Sequence, residues 1–156
     1  MNFFTDSIPH PDAANNAVLP IQNGVPADVT GNVYLASPLS TYHTPRYDHM
    51  CDRVRKLFPL AALVPARDCG FTRTTWLPRW QVMLPTLAAV VFFTDDAEWI
   101  GKGVWTEITT ARITGIPVWF LTDDEVLHRL ENLTFTVDED DWKQYAHVAP
   151  APVGVA

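Results

Sequence analysis

The chain has 156 residues, of which 47% are hydrophobic and 19% charged, and its formal net charge is −7. A chain of this length and composition is expected to form one globular domain with its own core. The negative charge argues against a nucleic-acid backbone or an anionic membrane as the main partner. The sequence has no apolar run of about 18 residues, and its first residues lack the pattern of a signal peptide.

Cysteine and histidine usage argues against disulfides and metals. The two cysteines, Cys51 and Cys69, lack CxxC spacing, which favours a reduced, cytoplasmic protein. The five histidines show no metal-ligand spacing. We therefore expect no metal and no other cofactor.

The N-terminal third predicts an arm, a strand and a helix. Residues 1–30 are rich in Pro, Asn, Ala and Asp without a sustained period, and are expected to be extended or disordered. An apolar strand follows at residues 32–36. Thr44 and Pro45 then combine a capping hydroxyl with proline at the first helical position. The helix they begin ends before Pro59, and its apolar residues have helical spacing: Tyr47, Met50, Cys51, Val54, Leu57 and Phe58.

The middle of the chain continues this alternation of strands and helices. Residues 61–65 predict a second strand, and 66–70 its exit loop. Residues 74–87 have helical spacing, with Pro78 in a first turn and Pro85 as a kink or break.

Residues 87–124 contain the most informative pattern. Residues 88–93 (AAVVFF) form a continuous apolar run, typical of a strand covered on both faces. A loop with two glycines and a helix carrying Glu107 follow, and the GIP sequence at 115–117 ends that helix. Residues 118–121 predict another buried strand.

The C-terminal segments are assigned from weaker patterns. We expect a short helix at residues 124–133, an edge strand at 135–137 and a helical turn at 141–147.

The predicted fold is an α/β three-layer sandwich with a mostly parallel, doubly wound (flavodoxin- or Rossmann-like) sheet of about five strands. The expected organisation is an arm (1–30), one α/β domain (31–148) and a frayed tail (149–156).

Glu107 is the first candidate for chemistry, because ligands bind at the carboxyl ends of strands in such sheets. It borders an apolar stripe formed by Val104, Ile108 and Ala111, so it must lie at the lip of a pocket or be hydrogen-bonded. A position in or near the first helical turn favours its ionised form by about 0.3–1 kcal/mol. An ionised, partly desolvated carboxylate suits a nucleophile. The alternative is an ordinary glutamate that complements the helix dipole.

Two loops are candidates for ligand binding. Gly101 and Gly103 permit close approach of a ligand, although a plain loop is the simpler interpretation. The loop after the first strand offers hydroxyls and backbone N–H groups to a phosphate, and Arg46 adds charge. Its hydroxyl residues are Ser37, Ser40, Thr41 and Thr44. Such loops also occur as simple capped turns.

Further polar and aromatic candidates lie at the same edge. Asp95 and Asp96 end the third strand, where one could act as a general acid or hold a sugar hydroxyl; the alternative is a solvated turn. Arg67 follows the second strand, with the same two interpretations. The tryptophans at 76, 80, 99 and 105 are expected mostly in the core, with one stacking on a base as the alternative.

Two segments together carry a family pattern. Residues 33–38 read VYLASP, and residues 103–108 read GVWTEI, followed by Ala111 and by GIPV at 115–118. These segments resemble the first strand and the Gly-x-x-x-Glu signature of the nucleoside 2-deoxyribosyltransferase-like family, which includes deoxynucleoside monophosphate N-glycosidases. The resemblance extends over roughly residues 32–122.

The resemblance implies N-glycosidic bond cleavage or transfer on a (deoxy)nucleoside or nucleoside 5′-monophosphate. Glu107 would attack the anomeric carbon, and Asp95 would protonate the leaving base. The substrate-binding candidates are Tyr34, Ser37, Ser40, Arg46, Arg67, Gly101 and Gly103. The resemblance also implies a homodimer or higher homo-oligomer, with a small molecule as the other partner.

Two positions depart from the family pattern. Gly101 stands where transferase members often have an aspartate, and Ala89 stands where an aspartate commonly precedes the third strand. Hydrolysis and transfer therefore stay open. A non-catalytic nucleotide-binding or regulatory module and an NAD glycohydrolase-type activity are the alternatives.

Overall fold

The computed structural model describes residues 25–152. Most of the expected arm and the last four residues of the expected tail lie outside this range. Pro26–Asp28 form a single 3-10 turn just before the first strand.

The described chain contains eight strands and three α-helices. The strands are β1 (Gly31–Ala36), β2 (Ala61–Pro65), β3 (Leu87–Phe92), β4 (Trp99–Ile100), β5 (Val118–Leu121), β6 (Leu127–Arg129), β7 (Leu133–Val137) and β8 (Ala146–Pro150). The helices are α1 (Pro45–Leu57), α2 (Trp76–Met83) and α3 (Lys102–Thr114).

A five-stranded sheet in the order β2-β1-β3-β5-β6 forms the central layer. The first four strands are parallel, with α1, α2 and α3 in the successive connections between them, and β6 pairs antiparallel with β5. The prediction of an α/β three-layer sandwich is confirmed. A separate antiparallel sheet has the order β4-β8-β7.

The two faces of the central sheet bury separate apolar clusters, because successive side chains of a strand point to opposite faces. Val33 and Leu35 pack with α1 residues such as Met50 on one face. Tyr34 packs with Trp80 of α2 and Ile108 of α3 on the other. We refer to these faces as the α1 side and the α3 side.

Helix α1 begins as its sequence predicts. The Thr44 hydroxyl accepts a hydrogen bond from the Tyr47 N–H at 3.3 Å, and Pro45 is the first helical residue. The buried residues of α1 are Tyr47, Met50, Cys51 and Val54. This face anchors the helix to the sheet and fixes the loop that precedes it.

The prolines of α2 and the glycine that ends α3 also lie where the sequence predicts them. Pro78 lies in the first turn of α2, and Pro85 lies in a 3-10 turn that ends this helix. Gly115 ends α3 with φ of +89°, a left-handed conformation that favours glycine. Helix α3 begins at Lys102, so Glu107 lies in its second turn, near the first turn as expected.

Two predictions for the C-terminal region are wrong. Instead of a helix at 124–133, a turn at Glu125 (φ +70°) directs the chain back along β5 as β6. Instead of a helical turn at 141–147, the Asp141 carboxylate accepts from the Lys143 and Gln144 N–H groups, and β8 begins at Ala146.

The expected edge strand at 135–137 is present, but it belongs to the second sheet. β7 is an edge of that sheet, and β8 runs through Pro150, two residues into the segment expected to be frayed. No helix among residues 25–152 combines the length and apolar character needed to cross a membrane.

Candidate functional site

Glu107 is a buried carboxylate held by two donors. Its side chain is 5% exposed, which is unusual for a residue that can carry a charge. The Tyr34 hydroxyl donates to Glu107 Oε2 at 2.5 Å, and the Trp76 indole N–H donates to the same oxygen at 3.1 Å. No residue of the described chain donates to Oε1. One carboxylate oxygen is therefore fixed by two hydrogen bonds, whereas the other is not held by a described donor.

Three elements of the fold bring these side chains together. Tyr34 is in the middle of β1 and points to the α3 side of the sheet. Trp76 is the first residue of α2, and Glu107 lies on the sheet-facing side of α3 with Val104 and Ile108. The site thus depends on long-range contacts: Tyr34 and Glu107 are separated by 73 positions in the sequence, and Trp76 and Glu107 by 31 positions.

Burial dominates the protonation of Glu107. Desolvation raises its pKa from an ordinary 4.5 to about 7, although the hydrogen bonds from Tyr34 and Trp76 favour the ionised form and partly offset this rise. Burial therefore outweighs the stabilisation of the ionised form that a position near the helix N-terminus gives. Burial and the charge of Glu107 together raise the pKa of Tyr34 far above its usual range, so this phenol stays a donor.

Half-buried side chains flank Glu107 on the α3 side. Four of them pack against the same apolar cluster: Tyr42, Cys69, Phe71 and Trp76. Burial first, and then the Glu107 charge, raise the pKa values of Tyr42 and Cys69. A high pKa keeps Cys69 a neutral thiol, and its Sγ contacts the Pro65 carbonyl oxygen at 3.4 Å. Cys69 is therefore not placed as a nucleophile.

A second group of candidates lines an open cleft of ≈ 210 Å³. Its lining residues are Ser40, Thr41, Thr44, Pro45, Arg46, Asp95 and Asp96. The cleft lies beyond the carboxyl ends of β1 and β3. The strand that follows β1 in the chain, β2, lies on one side of β1, and β3 lies on its other side, so the direction of the strand order changes here. Such crevices are the usual ligand sites of doubly wound sheets.

Both candidate arginines are held by carboxylates. The Arg46 guanidinium donates to Asp123 at 2.8 Å and to the Thr94 carbonyl oxygen at 2.6 Å. Arg67 donates to Asp48 at 2.9 Å and to the Tyr42 carbonyl oxygen at 3.1 Å. A phosphate in this region would have to share Arg46 with its acidic neighbours.

Asp95 and Ser37 stabilise loops. The Asp95 Oδ1 accepts from the N–H groups of Ala97 and Trp99, both at 2.9 Å. Within the described residues Oδ2 has no donor. Ser37 is 3% exposed, and its hydroxyl accepts from Thr41. Ser37 therefore shapes the loop from beneath, whereas Ser40 is exposed in the cleft.

The two candidate glycines have different surroundings. A Cβ atom at Gly101 would lie 3.2 Å from the carbonyl oxygens of both Trp142 and Lys143, so close approach of the protein backbone explains this glycine. At Gly103 the nearest atom would be Cζ2 of Trp76, 3.9 Å away.

The sequence patterns missed two residues of this site. The sequence predicts Trp76 in a helix, with the core or stacking on a base as its alternatives, and it predicts Tyr42 in a polar loop without a role. Trp76 was one of several tryptophans with helical spacing, and no local pattern distinguishes the one that contacts Glu107. Comparisons of the chain with family models, with curated proteins and with solved structures found no match.

Proposed function

We propose that this protein cleaves or transfers the N-glycosidic bond of a (deoxy)nucleoside or nucleoside 5′-monophosphate, with Glu107 as the nucleophile. The observation that carries the proposal is the geometry of Glu107. Glu107 is 5% exposed and is held through Oε2, and no donor among residues 25–152 reaches Oε1. This arrangement supports attack by Oε1 on a carbon centre. The resemblance to nucleoside 2-deoxyribosyltransferase-like proteins supports the same role.

The proposed reaction has two steps. Glu107 Oε1 bonds to the anomeric carbon as the carbon–nitrogen bond breaks, and the base leaves with the bonding electrons and takes up a proton. Water or a second base then attacks the same carbon and releases Glu107. The configuration is retained overall because two displacements occur at one carbon.

Asp95 is the proposed acid for the leaving base. Its Oδ1 is fixed by two amide groups, so Oδ2 is the oxygen that would carry the proton. We predict that Asp95→Asn keeps the loop, since the amide oxygen accepts the same hydrogen bonds, but lowers base release by about 10²–10⁴-fold. Asp140→Asn is the matched control, because Asp140 is exposed and lies outside the cleft. Equal rates for the two variants would contradict the role of Asp95.

The test of the proposed function is chromatographic detection of free base. The panel contains deoxynucleosides, ribonucleosides, their 5′-monophosphates and NAD. Release from one class identifies the sugar and the need for a phosphate, and a second free base then distinguishes transfer from hydrolysis. The absence of free base with every member of the panel would contradict the proposal.

One observation favours a second function, a nucleotide-binding or regulatory module without chemistry. Gly101 is in contact with the backbone of residues 142–143, and it stands where transferases of the resembling family often carry an aspartate. Ligand-induced thermal stabilisation without base release from any member of the panel would support this alternative.

The proposal also covers compartment and assembly. Both cysteines are free thiols, which supports a reducing compartment such as the cytoplasm. A homodimer or higher homo-oligomer is proposed from the family resemblance, and the exposed apolar residues Leu77 and Val82 of α2 support it. Sedimentation analysis would test the assembly, and a monomer at micromolar concentration would contradict it.

A further inference from the structure

Tyr42 lies between the two groups of candidate residues. It directly follows the cleft residues Ser40 and Thr41, and its ring packs against the apolar clusters on both sides of the sheet. A side chain that contacts both clusters must cross the end of the sheet. Tyr42 therefore covers the carboxyl end of the sheet between the cleft and Glu107.

The backbone and ring of Tyr42 are firmly held. Its carbonyl oxygen accepts from Arg67 at 3.1 Å, and its ring lies edge-on to the Tyr47 ring at 5.5 Å between centroids. The Arg67 guanidinium in turn lies over the Tyr47 ring, 4.3 Å from its centroid. These contacts hold the Tyr42 backbone and pack one side of its ring.

The Tyr42 hydroxyl has no such restraint. Tyr34 donates its hydroxyl to Glu107, and the Tyr47 hydroxyl accepts from the Arg67 N–H at 3.1 Å. No described residue pairs with the Tyr42 hydroxyl. Burial and the charge of Glu107 raise the pKa of Tyr42 above its usual range, so the phenol remains a donor within electrostatic reach of that carboxylate.

We propose that Tyr42 is a substrate-binding residue whose hydroxyl hydrogen-bonds the sugar that Glu107 attacks. A phenol can both donate and accept, which suits a sugar hydroxyl. Attack on the anomeric carbon also brings the sugar, rather than the far edge of the base, next to Glu107. The nature of the ligand rests on the proposed function.

Removal of one hydroxyl should weaken binding without changing the fold. We expect Tyr42→Phe to raise the Kd of a ligand by about threefold to tenfold, the effect of losing one hydrogen bond. In turnover the same loss should raise KM more than it lowers kcat, and it should leave the pH at which Glu107 ionises nearly unchanged. Tyr47→Phe is the matched control, because its hydroxyl pairs with the protein backbone.

The experiment is calorimetric binding of a 2′-deoxyribonucleoside 5′-monophosphate to full-length Glu107→Gln protein, with and without Tyr42→Phe or Tyr47→Phe. Circular dichroism confirms that each variant is folded. A higher Kd for Tyr42→Phe alone supports the proposal. An unchanged Kd, or an equal rise with Tyr47→Phe, would overturn it, as would the absence of any binding.

Turnover by the wild-type protein separates this proposal from the proposed function. Base release together with a higher Kd for Tyr42→Phe supports both. A higher Kd without base release by the wild type supports Tyr42 as a ligand contact and contradicts the glycosidase chemistry.

Discussion

The Glu107 carboxylate combines burial with two hydrogen bonds from described residues, and this combination determines its pKa. A buried carboxylate without donors would stay protonated over a wide pH range, whereas one with several donors would ionise readily. Glu107 is intermediate between these cases, because two donors, Tyr34 and Trp76, partly offset its burial and its pKa is about 7. The residue can therefore be ionised at physiological pH while keeping more basicity than an exposed glutamate.

The pH dependence of activity follows from this pKa. The proposed attack requires ionised Glu107, so we predict an acidic limb of kcat/KM with its midpoint near pH 7, whereas loss of the proton that the leaving base takes up lowers activity at higher pH. The Tyr34→Phe variant loses the bond that lowers the Glu107 pKa most, so its acidic limb should shift to higher pH. Initial rates between pH 5 and pH 9 measure both effects. A limb near the ordinary value of 4.5 in the wild type would contradict the assignment.

At the scale of elements, the start of α3 is fixed by the β7–β8 hairpin. The Lys102 N–H donates to the Trp142 carbonyl oxygen at 3.1 Å, and Gly101 lies directly against the same turn. This contact sets where α3 begins and hence where Glu107 lies relative to β1.

A matched pair of glycine substitutions tests this contact. Gly101→Ala places a Cβ against two backbone oxygens at 3.2 Å, so we predict a loss of about 1–3 kcal/mol in the free energy of unfolding. Gly103 lies within α3, and a Cβ atom there would meet only the Trp76 side chain, at an ordinary 3.9 Å. Gly103→Ala should therefore leave the free energy of unfolding unchanged or raise it by up to about 1 kcal/mol. Urea unfolding measures both. A Gly101→Ala protein as stable as Gly103→Ala would show that the hairpin does not constrain α3.

The elements that the sequence predicts well are those with strong local signals. Thr44 and Pro45 begin α1, and Gly115 ends α3, because capping and left-handed geometry depend on single residues. Residues 124–133 also have apolar spacing compatible with a helix, but the partner strand β5 determines their conformation. A short segment with this ambiguity cannot be assigned without its tertiary contacts.

At the scale of the whole molecule, the order of the sheet determines where the site lies. Strand order β2-β1-β3 places the loops after β1 and β3 side by side, which forms the cleft. The sequence indicated this edge and the nucleophile candidate Glu107. Its partners Tyr34 and Trp76 are brought together only by the packing of α2 and α3 on the sheet, and no spacing rule predicts that convergence.

Stability of the whole fold should depend on Glu107 through pH. Its pKa is raised to about 7 in the folded state from an ordinary 4.5, so between these values the folded protein holds a proton that the unfolded chain has lost. This contribution is present below pH 4.5 and is lost as pH rises to about 7. The Glu107→Gln variant does not titrate, so its stability relative to wild type should increase by about 3 kcal/mol across this range. Urea unfolding at several pH values measures the difference. A pH-independent difference would show that burial does not raise this pKa.

The most direct test of the account compares base release by the wild type and Glu107→Gln at pH 8, where Glu107 is ionised. Glutamine retains the size and an acceptor oxygen for Tyr34 and Trp76 but cannot form a glycosyl ester. The account predicts at least about a thousandfold loss of base release by the variant, with ligand binding and fold retained. Base release by Glu107→Gln at the wild-type rate would contradict the role of Glu107 as nucleophile.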